Sequence, residues 1–155
     1  MALLRRVAGF NTPEEDQKDI HVLFIRSIHE QSATVWHSSI SEENKNDLER
    51  VQKTALKVIL REKYTGYNQG LAKLGLESLE SRRENLCLNF ANKCIKSERL
   101  KHMFPLNQHN VNTRNKETYE VQFANTGRLQ KSPIIYMQKL LNEDELKKTE
   151  LNVNI

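Results

Sequence analysis

Residues that form tight turns are scarce in this chain, which has five glycines and three prolines among 155 residues. All-β sandwiches and barrels need many tight turns, so this scarcity argues against them. Hydrophobic residues make up 37% and charged residues 28% of the chain, which suits one small core of packed helices. We therefore predict a mainly α protein, an irregular bundle of about four to five helices with at most one short strand.

Cysteine is equally scarce, and Cys87 and Cys94 are the two present. In a helical pattern their Cα atoms would lie about 10 Å apart, too far for a disulfide between them. We interpret both as small buried residues, with a redox or metal-binding role as the alternative. This usage favours a reducing compartment.

Long apolar runs are missing as well. No segment approaches the roughly 20 apolar residues of a membrane span, and the opening MALLRRVAGF has too short an apolar core for a secretory signal. The sequence therefore predicts no membrane partner and an intracellular location, in the nucleus or the cytoplasm. A formal net charge of +4 mildly favours an anionic partner such as nucleic acid.

The sequence patterns that carry catalysis are also missing. HExxH, CxxC, EF-hand, phosphate-loop and GxSxG patterns do not occur. His21, His29 and His37 recur every eight residues, which would separate neighbours on one helix by about 12 Å, too far for a shared metal. The four aspartates include no adjacent pair, so no two-metal site is predicted. We expect no catalytic residue, no metal site and no cofactor in this chain.

Hydrophobic periodicity and polar stretches divide the chain into four segments. We predict a helical bundle over residues 1–101, a polar linker over 102–117, a short extended segment plus a terminal helix over 118–142, and a disordered tail over 143–155. The alternation of TYEVQF predicts a short strand at Thr118–Phe123.

Helix-start signals precede several apolar stripes. Thr12-Pro13 opens a helix whose predicted buried face carries Ile20, Leu23, Phe24 and Ile28. Ser41 and Ser78 are predicted to cap the two longest helices of the bundle, and Gly75 is predicted to end the short helix between them.

The most informative stretch runs from Val35 to Arg61, VWHSSISEENKNDLERVQKTALKVILR. It joins an apolar stripe to a set of four cations that share the outer side of the same helix: Arg50, Lys53, Lys57 and Arg61. On charge alone, a solvated helix face laced with Asp47 and Glu49 is slightly favoured, and binding to a phosphate backbone is the alternative. Arg82 and Arg83 form a second candidate surface. Tyr64 and Tyr67 are candidates for base stacking or, more commonly, for plugging a corner between helices.

Several segments, in collinear order from Leu3 to Asn142, resemble one family. VWHSSIS, DLERVQKTALKVIL, LGLESLESRRENLCLNFANK, HMFP and ANTGRLQKSPIIYMQKLLN are similar to the region after the catalytic palm in non-LTR retrotransposon reverse transcriptases of the jockey and CR-type group. The resemblance implies the thumb and post-thumb part of an RNA-directed DNA polymerase. The aspartates of the parent enzyme, which would use Mg²⁺, would lie before residue 1.

The resemblance also implies partners. It makes nucleic-acid contact the favoured interpretation of Arg50, Lys53, Lys57 and Arg61, with an RNA/DNA duplex as the ligand and the missing palm and fingers domains as the protein partner. The alternative is a helical protein-interaction or structural remnant with no activity of its own. Whether the chain takes part in an enzyme stays open on the sequence, because the palm motif is absent from it.

Overall fold

The computed structural model describes residues 1–108 and 118–153, and this part of the chain is mainly helical. The α-helices are α1 (Ala2–Ala8), α2 (Glu14–Ile20), α3 (Ser27–Glu30), α4 (Ala33–Trp36), α5 (Glu42–Leu60), α6 (Tyr67–Leu74), α7 (Leu79–Lys96), α8 (Gly127–Gln130) and α9 (Pro133–Val153). A π-helical segment, His21–Arg26, joins α2 to α3, and 3₁₀ turns follow α4 and α5. The predicted mainly α fold class is confirmed.

Local capping chemistry sets most of the predicted helix ends. The Ser41 hydroxyl accepts a hydrogen bond from the Asn44 N–H at 3.2 Å, and the Ser78 hydroxyl accepts one from the Ser81 N–H at 3.1 Å. Gly75 ends α6 in the left-handed conformation at φ 62°, which a residue without Cβ adopts at low cost. Thr12 acts differently from the prediction, because its hydroxyl donates to the Val7 carbonyl at the end of α1 instead of capping α2.

The helix that begins at Glu14 buries a different face from the predicted one. Leu23, Phe24 and Ile28 are exposed, whereas Gln17, His21 and Arg26 are buried. The π-helical segment accounts for part of this reversal. Because its turn is wider than an α-helical turn, the next buried residue after His21 is Arg26, five positions later. We call Leu23, Phe24 and Ile28 the apolar stripe.

The chain divides into two compact units, and the division falls inside α7 rather than near residue 101. Unit 1 comprises Met1–Ala33 and Ile40–Arg83, and unit 2 comprises Thr34–Ser39 and the chain from Glu84 on. The core of unit 1 is aliphatic and is formed by α1, α5 and α6; its buried members are Leu4, Ala55, Leu56, Ile59, Leu60, Leu71 and Leu74. This core holds α5 with one face buried.

Unit 2 is built on α7 and α9. Cys87 and Cys94 are buried in its core without a disulfide, and their burial agrees with the interpretation from the sequence. Two amide side chains of α9 hold the extended segment: Asn142 exchanges hydrogen bonds of 2.8 and 3.0 Å with the Tyr119 backbone, and Gln138 accepts from the Gln122 N–H at 3.2 Å. Within residues 1–108 and 118–153, β pairing is limited to one bridge between Leu106 and Tyr119, so the predicted strand is an isolated extended segment.

Three further predictions concern the second half of the chain. The predicted linker is only partly described: Lys101–Met103 is a 3₁₀ turn, and residues 109–117 lie outside the described part. Residues 143–153, predicted as part of a disordered tail, lie in α9, which continues to Val153. Lys148 supports this extension through ion pairs with Asp144 and Glu145 at 2.6 and 3.0 Å.

Among the helices described, none combines the length and the apolar character that a membrane crossing requires.

Candidate nucleic-acid interface on helix α5

The outer face of α5 carries a row of three exposed cations, Arg50, Lys53 and Lys57, which we call the cation ridge. Their spacing of three and four residues places them on one side of the helix and spreads them over about 10 Å of its axis. The opposite side of α5 is buried. Because the buried side of α5 packs in the core of unit 1, the position of the helix that carries the cation ridge is fixed within that unit.

Each ridge cation is free to meet a new anion at small cost. The Arg50 guanidinium pairs with Asp47 at 3.0 Å, and both side chains are more than half exposed, so this pair contributes about 0–1 kcal/mol. The Lys57 ammonium lies over the Tyr64 ring, 5.8 Å from its centroid, a contact that leaves its donors available. Within the described part of the chain, no carboxylate pairs with the Lys53 ammonium. The ridge can therefore exchange weak local contacts for phosphate contacts.

Arg61 was predicted as the fourth ridge cation, but its guanidinium is engaged elsewhere. Its Nη2 donates to the carbonyl of Ala8 at the end of α1, where a cation satisfies a helix-terminal acceptor. The Arg61 backbone has φ 50°, a conformation that residues with a Cβ adopt at some cost. Arg61 is exposed, but its guanidinium is held at the end of α1, and its contact with nucleic acid stays a prediction.

The second predicted surface, Arg82 and Arg83, is not a pair of exposed cations. Arg82 is half-exposed, and its Nε lies 3.3 Å from the Glu30 carboxylate, which also binds the buried Arg26 at 2.7 Å. Arg83 is buried, because its position on α7 faces inward, and it cannot reach a ligand at the surface. Arg83 is therefore not part of an exposed cationic surface in this fold.

A hollow of about 310 Å³ opens beside the ridge and is lined by Asn46, Glu49, Arg50, Lys53 and Tyr67. The Tyr67 ring also packs against the core of unit 1, and its hydroxyl donates to Glu49 Oε2. Burial, followed by the neighbouring Glu49 carboxylate, raises the pKa of the Tyr67 hydroxyl, so the hydroxyl stays a donor. Glu49 Oε1 accepts from the Glu80 N–H at 2.8 Å. The walls of the hollow are thus fixed by hydrogen bonds that join α5, α6 and the start of α7.

Sequence reasoning found only part of this hollow. Asn46, Arg50 and Lys53 follow helical spacing, so their common face was readable from the sequence. Tyr67 was identified only as a candidate for stacking, beside Tyr64. The position of Tyr67 next to Lys53 depends on how α6 packs on α5, and no local sequence pattern predicts that packing.

Metal-ligating side chains do not cluster in the described part of the chain. No three His, Cys, Asp or Glu side chains there lie close enough to hold one metal ion. Burial raises the pKa of the Cys94 thiol, which lowers its reactivity. The α5 surface carries positive charge, hydrogen-bond donors and a neighbouring aromatic ring, and groups of these kinds bind ligands.

Comparison with known proteins gives no match: no family model matches the chain, and neither a curated protein nor a solved structure is similar to it. The resemblance to retrotransposon reverse transcriptases therefore stays a prediction from the residues quoted for it.

Proposed function

We propose that this chain binds the phosphate backbone of an RNA/DNA duplex through the cation ridge, as a non-catalytic C-terminal part of a retrotransposon RNA-directed DNA polymerase. The observation that carries the proposal is the ridge itself, three exposed cations in register on one rigid helix. The polymerase chemistry and its Mg²⁺ would belong to the palm and fingers domains, and no residue of this chain is assigned a catalytic role. Such a role would place the protein where nucleic acid is, in the nucleus or the cytoplasm.

The spacing of the ridge suits a phosphate backbone. Arg50 and Lys57 are separated by about 10 Å along α5, and a nucleic-acid strand carries one phosphate per about 3.4 Å of duplex axis. Three cations along that length can therefore meet successive phosphates of one strand. Contacts of this kind hold any sequence, because the phosphates carry no sequence information directly.

Salt dependence tests this proposal directly. If each ridge cation neutralises one phosphate of the duplex, the logarithm of the association constant should fall against the logarithm of salt concentration with a slope of about −2.7, at about −0.9 per contact. The double variant Lys53→Glu/Lys57→Glu should bind more weakly and bring the slope close to −0.9, because two of the contacts are lost. Fluorescence anisotropy of a labelled RNA/DNA duplex measures both quantities.

A matched control separates the ridge from net charge. Lys139 and Lys147 are exposed cations of α9, so Lys139→Glu/Lys147→Glu changes the net charge equally while leaving α5 unchanged. This control should keep most of the wild-type slope. Equal loss of slope in both variants would mean that the charge of the whole chain, not the ridge, attracts the duplex. Failure of the wild-type protein to bind any duplex at low salt would refute the proposal.

A second candidate function is a protein-interaction role, and the apolar stripe favours it. Leu23, Phe24 and Ile28 are each more than half exposed, and contiguous exposed apolar patches on a folded protein commonly mark interaction sites. This candidate predicts self-association or capture of another protein on that stripe, with no dependence on the cation ridge.

A further inference from the structure

We propose that the hollow beside the cation ridge holds one unpaired nucleotide of the bound nucleic acid, with its base on the ring of Tyr67 and the phosphates on either side of that base on Arg50 and Lys53. This inference rests on the proposed function and adds a ligand class to it. The ligand is a duplex in which one strand continues as an unpaired single strand next to the hollow. The observation behind it is the juxtaposition of an aromatic ring and two cations around one hollow of about 310 Å³.

The size of the hollow limits what can enter it. Small-molecule sites in proteins span about 300–1,000 Å³, so this hollow lies at the lower end and has room for a single ring system. A duplex is too wide to enter. A base pair is wider than a single base, so the occupant that fits this volume best is one unpaired nucleotide.

The groups around the hollow match the parts of a nucleotide. The Tyr67 side chain lines the hollow, is partly buried and is held by its hydroxyl bond to Glu49, and every base has a π-face that can stack on an aromatic ring. Lys53 and Arg50 supply the donors that a phosphate needs. The Asn46 amide, with one acceptor oxygen and two donor hydrogens, can bond to the edge of a base.

The alternatives fit less well. An acidic peptide would use the two cations but not the ring. A simple anion would leave the apolar part of the hollow exposed. Glu49 keeps its negative charge while its two oxygens accept bonds from Tyr67 and from the Glu80 N–H, but the two cations Arg50 and Lys53 outnumber it in the lining of the hollow, so a phosphate is still attracted.

The experiment compares three RNA/DNA duplexes of equal paired length: blunt, with a short unpaired overhang, and with the same overhang made of abasic sugar phosphates. The two overhangs carry equal charge, so their difference reports the bases alone. We expect the natural overhang to bind about tenfold more tightly than the abasic one, since stacking of one base on an aromatic side chain gives an effect of this order. Photocrosslinking of a halogenated base in the overhang should map to Tyr67.

Three variants locate the effect. Tyr67→Phe keeps the ring and should keep the preference for the natural overhang, whereas Tyr67→Leu should abolish it. Because Tyr67 also packs in the core of unit 1, Asn46→Leu provides a test that leaves the core intact: at this exposed position the added side chain would fill the hollow without offering a ring for stacking, and it should remove the preference. Lys53→Glu/Lys57→Glu should weaken binding of all three duplexes.

The outcomes separate this inference from the proposed function. Equal, salt-dependent binding of the natural and abasic overhangs would overturn the nucleotide site and leave backbone binding by the ridge intact. No binding of any duplex would overturn both. A titration with adenosine monophosphate tests the free nucleotide: saturable binding that Tyr67→Leu abolishes, without a preference for the natural overhang, would assign the hollow to a free nucleotide and overturn the strand assignment.

Discussion

At the scale of single residues, His21 shows how burial alters an ordinary side chain. It is 1% exposed, and neither ring nitrogen hydrogen-bonds to another described residue. Burial, then the positive charge of Arg26, and then His29 lower the pKa of His21 to about 4. The imidazole is therefore neutral in the folded protein near neutral pH, and protonating it would oppose folding.

Stability should consequently decrease in mild acid. In the unfolded chain His21 takes up a proton near pH 6.5, whereas in the folded protein it does so only near pH 4. Between these values the unfolded state binds more protons, so the free energy of unfolding falls as pH drops through this window, by at most about 3 kcal/mol, and is fully regained above it.

Urea unfolding at a series of pH values measures this dependence. His21→Leu should flatten it between pH 7 and 5, because the titrating group is gone. His102→Gln changes an exposed histidine and should leave the dependence as in the wild type. A wild-type dependence that persists unchanged in His21→Leu would contradict the assignment.

At the scale of elements, the close approach of α6 to α5 places Tyr67 beside the ridge. Gly70 makes this approach possible: a Cβ there would lie 3.4 Å from side-chain carbons of Leu56, Leu60 and Tyr64. A Cβ alone would thus be in van der Waals contact on three sides, so the space is filled by it, and a larger side chain would force the two helices apart. The geometry of the hollow therefore depends on a residue that does not line it.

We expect Gly70→Leu to lower the free energy of unfolding by about 1–3 kcal/mol, because the added side chain overpacks the contact between α5 and α6. Gly127→Leu is the matched control, since a Cβ at Gly127 meets no atom within 4 Å, and it should change stability by no more than about 0.5 kcal/mol. Chemical denaturation followed by circular dichroism measures both. Equal stability of the two variants would show that α6 does not approach α5 as closely as described.

At the scale of the whole molecule, the helical stretch that begins at Glu14 buries polar side chains and exposes apolar side chains that were predicted to be buried. Gln17, His21 and Arg26 are buried, while the apolar stripe is exposed. Arg26 is stabilised inside by its 2.7 Å ion pair with Glu30, because a buried charge needs a partner. The apolar stripe has no such compensation in water and gains from any surface that covers it.

The stripe predicts concentration-dependent self-association of the isolated protein. Phe24→Glu/Ile28→Glu should abolish it, because two charges would have to be buried at the contact. Phe123→Glu alters another exposed aromatic residue, 87% exposed, and should leave the association unchanged. Sedimentation velocity over a range of concentrations measures the oligomeric state, and a monodisperse wild-type monomer throughout that range would count against the interaction role.

Much of the fold was predictable from local sequence, and the reason is physical. Caps such as Ser41 and Ser78 and the left-handed Gly75 depend on residues a few positions apart. The spacing of Arg50, Lys53 and Lys57 on one helix face is likewise fixed by helical geometry. These are short-range properties of the chain, and the structure agrees with them.

The sequence alone therefore determined a mainly helical protein with a row of cations along its longest bundle helix. Tertiary structure decided which of the predicted cations are available: it buried Arg83, bonded Arg61 to the end of α1, paired Arg82 with Glu30, and brought Tyr67 to the ridge. It also decided which face of the α2 helix turns inward. These outcomes depend on contacts between residues far apart in the chain and on the burial that those contacts create. Hydrophobic periodicity is a local property of the sequence, so it does not predict either of them.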